Sequence, residues 1–409
     1  MGLYKRINVS SGRSLEKQAH YSRALRIGDR VLQAGTTAID RDGNVIGEGD
    51  VAKQVDAIMA LAEWSMGKAG GKIEDIVRSR IYLTDISLTE PAALALANYF
   101  RDIRPTSTLV QVSRLARPTQ LIEIEFDAVD GAKDKAQRVS SGRAIEERYA
   151  YSRAIRVDDR VFISGSTALN PQGTVDTPDD MYTQARQTFD TILWALDQLG
   201  GTPGDLLNAK TFVTDLAQTE ASTRARRDAL GEIYPTATLL GIPALVRPDM
   251  LIEIESDALI GAASHRREIF GAQEREKSRG YARAVEVGDL IYVSGCTSLN
   301  AAGAVEAVGD WAAQYDLSHR AIQSALERFG ASLDDVICRR IFTVDGAEQN
   351  RPYGEGPAWF ANSCPVSMGC RVSGLAHPDL LVEVEAVALK GAGADIEWME
   401  PGDKDPLSS

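Results

Sequence analysis

A repeat of fixed period constrains the fold of this chain more than any other feature. The passages YSRALRIGDRVLQAGTTA, YSRAIRVDDRVFISGSTA and YARAVEVGDLIYVSGCTS begin at Tyr21, Tyr151 and Tyr281, so successive copies are 130 residues apart. A period of this length is that of a complete domain rather than of a solenoid unit. The same spacing relates Gly35, Gly165 and Gly295, then Pro105, Pro235 and Pro365, and finally Glu123, Glu253 and Glu383.

The repeat predicts three domains of similar size. We place them at residues 1–135, 136–265 and 266–393, followed by an acidic tail, 394–409, that we expect to be disordered. Apolar residues make up 44% of the chain and charged residues 25%. That balance is ordinary for a globular protein, so each domain has enough apolar surface to form a core.

Within one copy, the apolar pattern predicts the element order ββαβαββ. Alternation around Gly28 and Asp29 predicts a hairpin, and the apolar spacing over 51–69 predicts a helix that ends before Gly70. The segment IVRSRIYLTD then predicts a strand, 88–101 a second helix, and TLVQVSRL and LIEIEFDAV two further strands. This is an α+β fold. Three such sheets, each with helices on one face, cover each other around a threefold axis, which predicts an internal pseudo-trimer and leaves further homo-oligomerisation open.

A column of basic residues falls in the middle of the strand that follows the first helix: Arg80, Lys210 and Arg340. A cation at such a position needs either a counter-charge or water. Two interpretations are open. The three residues ring a central chamber on the threefold axis, or the outer face of the strand is solvated.

Charge and composition exclude several kinds of partner. The formal net charge is -13 with no long basic run, so nucleic acid is not expected. No apolar stretch approaches the length of a membrane span and the start has no apolar signal segment, so we expect a cytoplasmic protein without a membrane partner. The four cysteines form no C-x-x-C pair and the chain has four histidines, so neither a metal nor another cofactor is expected.

The chain resembles the Rid (YjgF-like) enamine/imine deaminases. The resemblance rests on Tyr-x-x-Ala before the hairpin, Ser-Gly after it, a closing strand IEIE or VEVE, and a glutamine in the first helix at Gln54, Gln184 and Gln314. It covers nearly the whole chain, three times over. It implies that each copy has the fold of one subunit of a homotrimer, with pockets for a small-molecule substrate between neighbouring copies.

The resemblance also implies which residues form the pockets. The family's tyrosine, which orients the substrate, corresponds to Tyr21, Tyr151 and Tyr281. Its glutamate, which helps position water and which we expect to act as general base, corresponds to Glu123, Glu253 and Glu383. Its serine corresponds to Ser164 and Ser294, whereas the first copy has Ala34.

The family's substrate-binding arginine is absent from all three copies. Ser107, Ala237 and Ser367 stand at its position, which leaves the two serines as candidate substrate contacts. Neither a hydroxyl nor a methyl group replaces the bidentate contact of a guanidinium with a carboxylate. The standard activity of the family on 2-imino acids is therefore in question.

Another set of arginines stands two residues after the pocket tyrosine, on the same strand face: Arg23, Arg153 and Arg283. They supply the missing charge, or they form ordinary ion pairs at the solvated end of the hairpin. Both interpretations are open.

The centre of the repeated passage reads Thr36, Ser166 and Cys296 in successive copies. Divergence at this one point suggests a single asymmetric pocket, and a thiolate is a better nucleophile than a hydroxyl. Cys296 is therefore a candidate nucleophile. The third copy also diverges in the segment NRPYGEGPAWFANSCPVSMGC, which predicts an irregular loop instead of the second helix.

These features favour a Rid-like hydrolase or deaminase that acts on a C=N or amide-type bond of a small metabolite. One alternative is a ring-opening hydrolase of cyclic amides, similar to the cyanuric acid hydrolase and barbiturase group, which uses serine–lysine pairs; here only Lys210 supplies a lysine in the basic column. Another is a non-catalytic protein that binds a small molecule. An endoribonuclease, as reported for some family members, is disfavoured by the acidic balance.

Overall fold

Each copy folds into one mixed sheet with helices packed against it, as seen in a computed structural model of the chain. The structure describes residues 4–347, 358–402 and 406–407. The first copy consists of β1 (Arg6–Val9), α1 (Ser14–Gln18), β2 (Ala24–Ile27), β3 (Arg30–Thr36), α2 (Val51–Lys68), β4 (Ile76–Leu83), α3 (Thr89–Phe100), β5 (Thr106–Gln111), β6 (Ile122–Val129) and α4 (Ala132–Lys135).

The second and third copies repeat this order with small differences. The second copy consists of β7 (Gln137–Val139), α5 (Ala144–Arg148), β8 (Ala154–Val157), β9 (Arg160–Ser166), α6 (Met181–Gln198), β10 (Leu206–Val213), α7 (Thr219–Leu230), β11 (Thr236–Gly241) and β12 (Ile252–Leu259). The third consists of β13 (Arg267–Ile269), α8 (Gln273–Ser278), β14 (Ala284–Val287), β15 (Leu290–Cys296), α9 (Trp311–Glu327), β16 (Val336–Val344), β17 (Val366–Val372) and β18 (Val382–Leu389), and β19 (Ile396–Met399) follows it.

Local signals set the first hairpin and the first long helix of each copy. Gly28 in the hairpin turn has a φ of 57°, a left-handed conformation that glycine adopts without strain, and Asp158 adopts it in the second copy. Helix α2 begins after Asp50, whose carboxylate accepts a hydrogen bond from the backbone N–H of Lys53, and the helix ends before Gly70. These elements are the ones that the sequence predicts.

The strand order of the first sheet is β19-β1-β2-β3-β6-β4-β5, and the other two sheets repeat it without the added strand. Strands β4 and β5 are parallel and are joined by the crossover helix α3, whereas β2, β3 and β6 pair in antiparallel fashion. The predicted α+β class with three tandem ββαβαββ units is confirmed. The sequence did not predict the edge strand that precedes each hairpin (β1, β7, β13) or the short helix that follows it (α1, α5, α8).

Two predictions concern the end of the chain. The tail 394–409 was expected to be disordered, and this is wrong for β19, which pairs in parallel register with β1. The physical reason is that β1 offers a free edge of N–H and C=O groups and Met399 packs against the first core. Residues 350–357 of the segment predicted as an irregular loop lie outside the described residues, and the described part that follows consists of turns and then β17.

The three copies contact one another in a closed cycle. The residue after each pocket tyrosine donates its backbone N–H to the proline carbonyl of the preceding copy: Ser152 to Pro105 at 3.0 Å, Ala282 to Pro235 at 3.2 Å and Ser22 to Pro365 at 3.1 Å. An apolar cluster with members from all three copies, including Tyr82, Phe212 and Phe342, fills the centre. The first copy therefore packs against the second, the second against the third and the third against the first.

The basic column lies inside this centre as a ring of ion pairs. Each cation contacts the second glutamate of the E-x-E motif in the next copy: Arg80 with Glu255 at 2.7 Å, Lys210 with Glu385 at 2.6 Å and Arg340 with Glu125 at 2.8 Å. All six side chains are buried. The interpretation of a solvated strand face is therefore wrong, and carboxylates rather than a water-filled chamber balance the charges.

Removal of one member of this ring is expected to destabilise the protein. Glu385→Gln leaves the ammonium of Lys210 buried beside a neutral amide, and such a loss costs about 3–5 kcal/mol. Glu74→Gln is the matched control, because Glu74 and Lys133 pair at the exposed surface, where solvent screens the pair and its loss changes the stability little. Unfolding midpoints of both variants test this. Equal midpoints would contradict a stabilising role for the ring.

Candidate active site

A cavity of about 410 Å³ lies between the first and second copies, and we call it the 1/2 cleft. The second copy contributes the predicted tyrosine, arginine and glutamate, and the first copy contributes β4, β5 and α3. The lining includes Tyr151, Arg153 and Glu253 on one side and Ser79, Ile81, Leu96 and Ser107 on the other.

A larger cavity, about 510 Å³, lies between the third and first copies, and we call it the 3/1 cleft. Its lining includes Tyr21, Arg23 and Glu123 of the first copy and Ser367 and Arg339 of the third. Three aromatic residues, Trp311, Tyr315 and Trp359, form part of its wall. The two clefts therefore share one set of predicted residues and differ in the wall that the preceding copy supplies.

The boundary between the second and third copies, which we call the 2/3 cleft, is built in the same way. The backbone N–H of Ala237 donates to Oγ of Ser294 at 2.9 Å, just as that of Ser107 donates to Ser164 at 2.9 Å. Tyr281 and Glu383 occupy the positions equivalent to Tyr151 and Glu253.

The glutamate of each cleft lies directly against the glycine of the Ser-Gly pair. A Cβ atom on Gly35, Gly165 or Gly295 would collide with the carboxylate oxygen Oε1 of Glu123, Glu253 or Glu383. The carboxylates of Glu253 and Glu123 also accept a hydrogen bond from a backbone N–H of the preceding copy, that of Leu109 and that of Gly369 respectively. The glycine is thus required by close approach, and the neighbouring copy fixes the carboxyl group.

The three glutamates are held largely in their protonated form at neutral pH. Burial is the main cause that raises the pKa of Glu123, Glu253 and Glu383 to about 8, and repulsion from the second glutamate of the motif adds to it. The nearby arginine opposes the shift without cancelling it. A carboxyl group with this pKa exchanges protons readily near neutral pH, which is what general acid–base chemistry requires.

The arginines after the pocket tyrosines each make several hydrogen bonds; Arg23 and Arg153 are buried, and Arg283 is partly buried. In the first copy, Nε of Arg23 donates to Glu16 at 3.1 Å, Nη1 to the carbonyl of Gly35 at 3.1 Å and Nη2 to the hydroxyl of Tyr21 at 2.8 Å. Arg153 makes the same three contacts in the second copy. Arg283 uses Glu276 for two of its nitrogens and the carbonyl of Gly295 for the third.

This geometry agrees with neither interpretation of these arginines. They line the clefts, but a buried glutamate already balances each charge. They are also far from solvated, since Arg23 is 5% exposed and Arg153 is 4% exposed. Their contacts hold the tyrosine and the glycine strand in place, so the geometry makes them positioning residues.

The serines of the Ser-Gly pairs are committed to the backbone. Oγ of Ser164 accepts from the N–H of Ser107 and donates to the carbonyl of Ser152 at 2.6 Å. Ser294 bridges Ala237 and Ala282 in the same way. Both hydroxyls join one copy to the next, which leaves them little capacity to bind a substrate.

The predicted nucleophile, Cys296, faces a core. It is buried within the third hydrophobic cluster, its Sγ contacts the guanidinium of Arg283 at 3.5 Å, and burial raises the pKa of the thiol. A neutral buried thiol is a poor nucleophile. The geometry therefore gives this residue a packing role, equivalent to that of Thr36 and Ser166.

The 3/1 cleft contains a cation that the sequence analysis missed. Arg339 stands on β16 opposite Ser367 on β17, and its Nε donates to the hydroxyl of Ser367 at 3.1 Å. Its Nη2 donates to the carbonyl of Ala19, and its guanidinium lies over the ring of Phe360. No carboxylate in the described part of the chain pairs with it. A guanidinium thus lies beside Ser367 in this cleft, on the adjacent strand.

Two signals in the repeat would have revealed the glutamate partners of the cleft arginines and the cation Arg339. The motif S-S-G-R-x-x-E occurs at 10–16 and again at 140–146, and its glutamate is the partner of the cleft arginine. The strand ICRRIF has Arg339 where the first two copies have Ser79 and Ala209. A charge that appears in one copy only is a marker of a specialised cleft.

The cleft glutamates also predict how stability depends on pH. A carboxyl whose pKa rises from 4.5 when unfolded to about 8 when folded stabilises the fold fully below 4.5, and this contribution is lost as the pH rises through about 8. The triple variant Glu123→Gln, Glu253→Gln, Glu383→Gln has nothing to deprotonate at these positions. We expect its melting temperature to fall less than that of the wild type between about pH 5 and pH 9.

Calorimetry across this pH range gives the measurement. Glu63→Gln, at an exposed position, is the control and should follow the wild type. Parallel curves for the wild type and the triple variant would show that the cleft glutamates titrate normally.

Neither a metal-binding cluster nor a membrane-spanning helix is found among the described residues. They contain no group of three or more His, Cys, Asp or Glu side chains placed to hold a metal ion. They also contain no helix that is both long and apolar enough to cross a membrane.

Curated relatives match one copy at a time. A RutC family protein of Pyrococcus abyssi is 30% identical over 105 residues, which is 26% of this chain and 82% of the relative. The 3-aminoacrylate deaminase RutC of Acinetobacter baylyi is 35% identical over 106 residues, 26% of this chain and 83% of the relative.

Solved structures match the chain over different lengths. Rv2704 of Mycobacterium tuberculosis, a member of the YjgF/YER057c/UK114 family, is 32% identical and covers 31% of this chain and 99% of its own, with a TM-score of 0.28. A chorismatase covers 77% of this chain and 93% of its own at 14% identity with a TM-score of 0.51, a likeness of fold alone.

The family described as Endoribonuclease L-PSP matches the chain three times, at residues 11–130, 141–260 and 272–390. One match falls inside each predicted domain, and together they span most of the chain. The chain therefore belongs to the Endoribonuclease L-PSP family, which includes the YjgF-like Rid proteins, and carries three copies of its domain in tandem.

Proposed function

We propose that this protein is a Rid-like hydrolase that releases ammonia from the C=N bond of small metabolites in the clefts between its copies. The observation that supports it best is the protonated glutamate of each cleft, with a pKa of about 8, beside a tyrosine in a cavity of a few hundred cubic ångströms. The similarity to a 3-aminoacrylate deaminase supports carbon–nitrogen chemistry of this class.

The reaction follows from the charge of the glutamate. Glu253 donates its proton to the imine nitrogen, which makes the carbon electrophilic. The carboxylate that results takes a proton from water as its oxygen attacks that carbon. Glu253, protonated again, gives this proton to the nitrogen of the tetrahedral carbinolamine. As the C–N bond breaks, the hydroxyl proton returns to the Glu253 carboxylate, so one imine and one water give one carbonyl compound and one ammonia.

The clefts differ in the substrates that they favour. In the 3/1 cleft, Arg339 and the wall of Trp311, Tyr315 and Trp359 suit a planar substrate with a carboxylate. In the 1/2 cleft, Arg143 donates to backbone carbonyls and Arg247 pairs with Asp249. The positive charges of this lining are therefore less accessible to an anionic substrate. We assign anionic imines to the 3/1 cleft and neutral imines to the 1/2 cleft.

The cyclic-amide alternative loses the observation that favoured it. Lys210 is buried in the central ring with its ammonium 2.6 Å from Glu385, so it is not poised to activate a serine. The binding-protein alternative keeps one observation in its favour, the loss of the family's arginine, and the experiment below decides between it and the hydrolase.

The triple glutamine variant is expected to lose ammonia release by about 100-fold or more, because the glutamine side chain neither donates nor accepts the transferred proton. Imines are generated in situ by an amino-acid oxidase and an amine oxidase, and ammonia is measured enzymatically. Each single variant reports on one cleft: Glu123→Gln on 3/1, Glu253→Gln on 1/2 and Glu383→Gln on 2/3.

Glu63→Gln is the control and should keep full activity. Equal release by the wild type and the triple variant would remove the glutamates from the mechanism. If the folded wild type releases no ammonia but its melting temperature rises when the same substrate mixtures are added, the result would favour a non-catalytic binding protein.

The role of Arg339 has a separate test. Arg339→Ser gives the 3/1 cleft the residue of the first copy, so we expect KM for carboxylate-bearing imines to rise about tenfold or more while KM for neutral imines changes little. A matching rise for both substrate types, or a fall in kcat alone, would mean that Arg339 acts through the fold rather than on the carboxylate.

A further inference from the structure

A buried arginine without a counter-charge lies on helix α7. Arg226 is 4% exposed, and its Nε has no hydrogen-bond partner among the described residues. Its Nη1 makes one long contact, 3.4 Å, with the carbonyl oxygen of Arg279. No carboxylate in the described ranges pairs with it. An uncompensated buried guanidinium costs several kcal/mol, so its presence calls for an explanation.

Arg226 lies at the boundary between the second and third copies, at the position that lines the 1/2 cleft one repeat earlier. A Cβ atom on Gly280 would lie 3.6 Å from Cδ of Arg226, and Nη1 reaches the carbonyl of Arg279 in the third copy. The residues equivalent to Gly280 and Arg279 one repeat earlier are Ala150 and Tyr149, and both line the 1/2 cleft. The residue equivalent to Arg226 itself is Leu96, which lines that cleft as well.

The repeat assigns a second unpartnered polar group to an equivalent lining position of this boundary. Thr211 on β10 is 1% exposed, and its Oγ1 also has no hydrogen-bond partner among the described residues. Its equivalent in the first copy is Ile81, another lining residue of the 1/2 cleft. The apolar pair of one cleft is therefore replaced by a cation and a hydroxyl in the next. Each such group costs free energy when it is buried without a partner.

We propose that Arg226 and Thr211 form an anion-binding subsite in the 2/3 cleft, which takes the carboxylate of a small-molecule ligand. The guanidinium offers Nε–H and Nη–H to the two carboxylate oxygens, and the threonine hydroxyl donates to one of them. Burial lowers the pKa of Arg226 to about 10, so the group is still a cation at neutral pH.

The subsite is specific to this cleft as far as the described residues show. The 1/2 cleft has leucine at this point, and the equivalent position of the third copy, 356, lies outside the described residues. The inference rests on the proposed function only in that ligands enter the clefts. Its test therefore measures binding and not turnover.

The experiment titrates propionate, with propionamide as the neutral comparison, into full-length protein that carries Arg339→Ser, which removes the candidate carboxylate contact of the 3/1 cleft. Arg226→Leu, which copies Leu96, is expected to weaken propionate binding about tenfold or more in calorimetry, and Arg226→Lys to retain part of it. Arg227→Leu, a partly exposed neighbour on the same helix, should bind as its parent does. Propionamide should bind no variant better than another.

The unliganded proteins give an independent readout. Replacement of an uncompensated charge by leucine is expected to leave the melting temperature unchanged or higher. Equal propionate affinity with and without Arg226, or no propionate binding by the parent, would overturn the subsite. Either result leaves glutamate-dependent ammonia release unaffected, and a failure of that activity leaves propionate binding unaffected, so the two proposals fail separately.

Discussion

The central ring of ion pairs is the interaction on which the rest of the structure depends. Its cations come from one copy and its carboxylates from the next, so the ring forms only when all three copies are docked. The carboxylates are the second glutamates of the E-x-E motifs. Because residues two apart in a strand face the same side, the first glutamate of each motif is carried to the cleft by the same docking.

In the second and third copies, the E-x-E strand thus holds two neighbouring carboxyl groups in opposite protonation states. In the second copy, burial alone would raise the pKa of Glu255, but Arg80, Arg78 and Lys210 hold it well below its usual range. Two residues earlier, burial raises the pKa of Glu253 to about 8, and the positive charge of Arg153 opposes this shift without cancelling it. One group fixes the assembly as a permanent anion, and the other is left able to exchange a proton. Pairs of this kind are typical of active sites.

How far the sequence predicts this structure depends on whether a feature is local or formed between copies. The hairpin at Gly28, the helix after Asp50 and the tyrosine and glutamate positions follow from local pattern and from the exact period. The ion pair of Arg23 with Glu16 was missed because the short helix that carries Glu16 has no strong periodicity. The pairing of β19 with β1 joins the two ends of the chain, and no local signal announces it.

Covalent linkage changes what the clefts are free to do. In a homotrimer every substitution appears in all three clefts at once, whereas here each cleft has its own two walls. One position of the repeat is therefore occupied by a different residue in each copy: Ser79, Ala209 and Arg339. A buried cation that would be too costly three times over is tolerated once.

The arginines of the central ring and of the clefts differ in their partners. A carboxylate of the chain pairs with each of Arg23, Arg80 and Arg153. Neutralising any of these arginines would therefore leave a buried carboxylate without a counter-charge. Arg226 and Arg339 have only neutral partners among the described residues, and both stand at cleft walls. A cation of that kind gains its counter-charge only when a ligand arrives. The unpaired cations at these two positions lower the stability of the unliganded protein. An anionic ligand supplies the missing ion pair when it binds, so the protein favours an anion over a neutral molecule of the same shape.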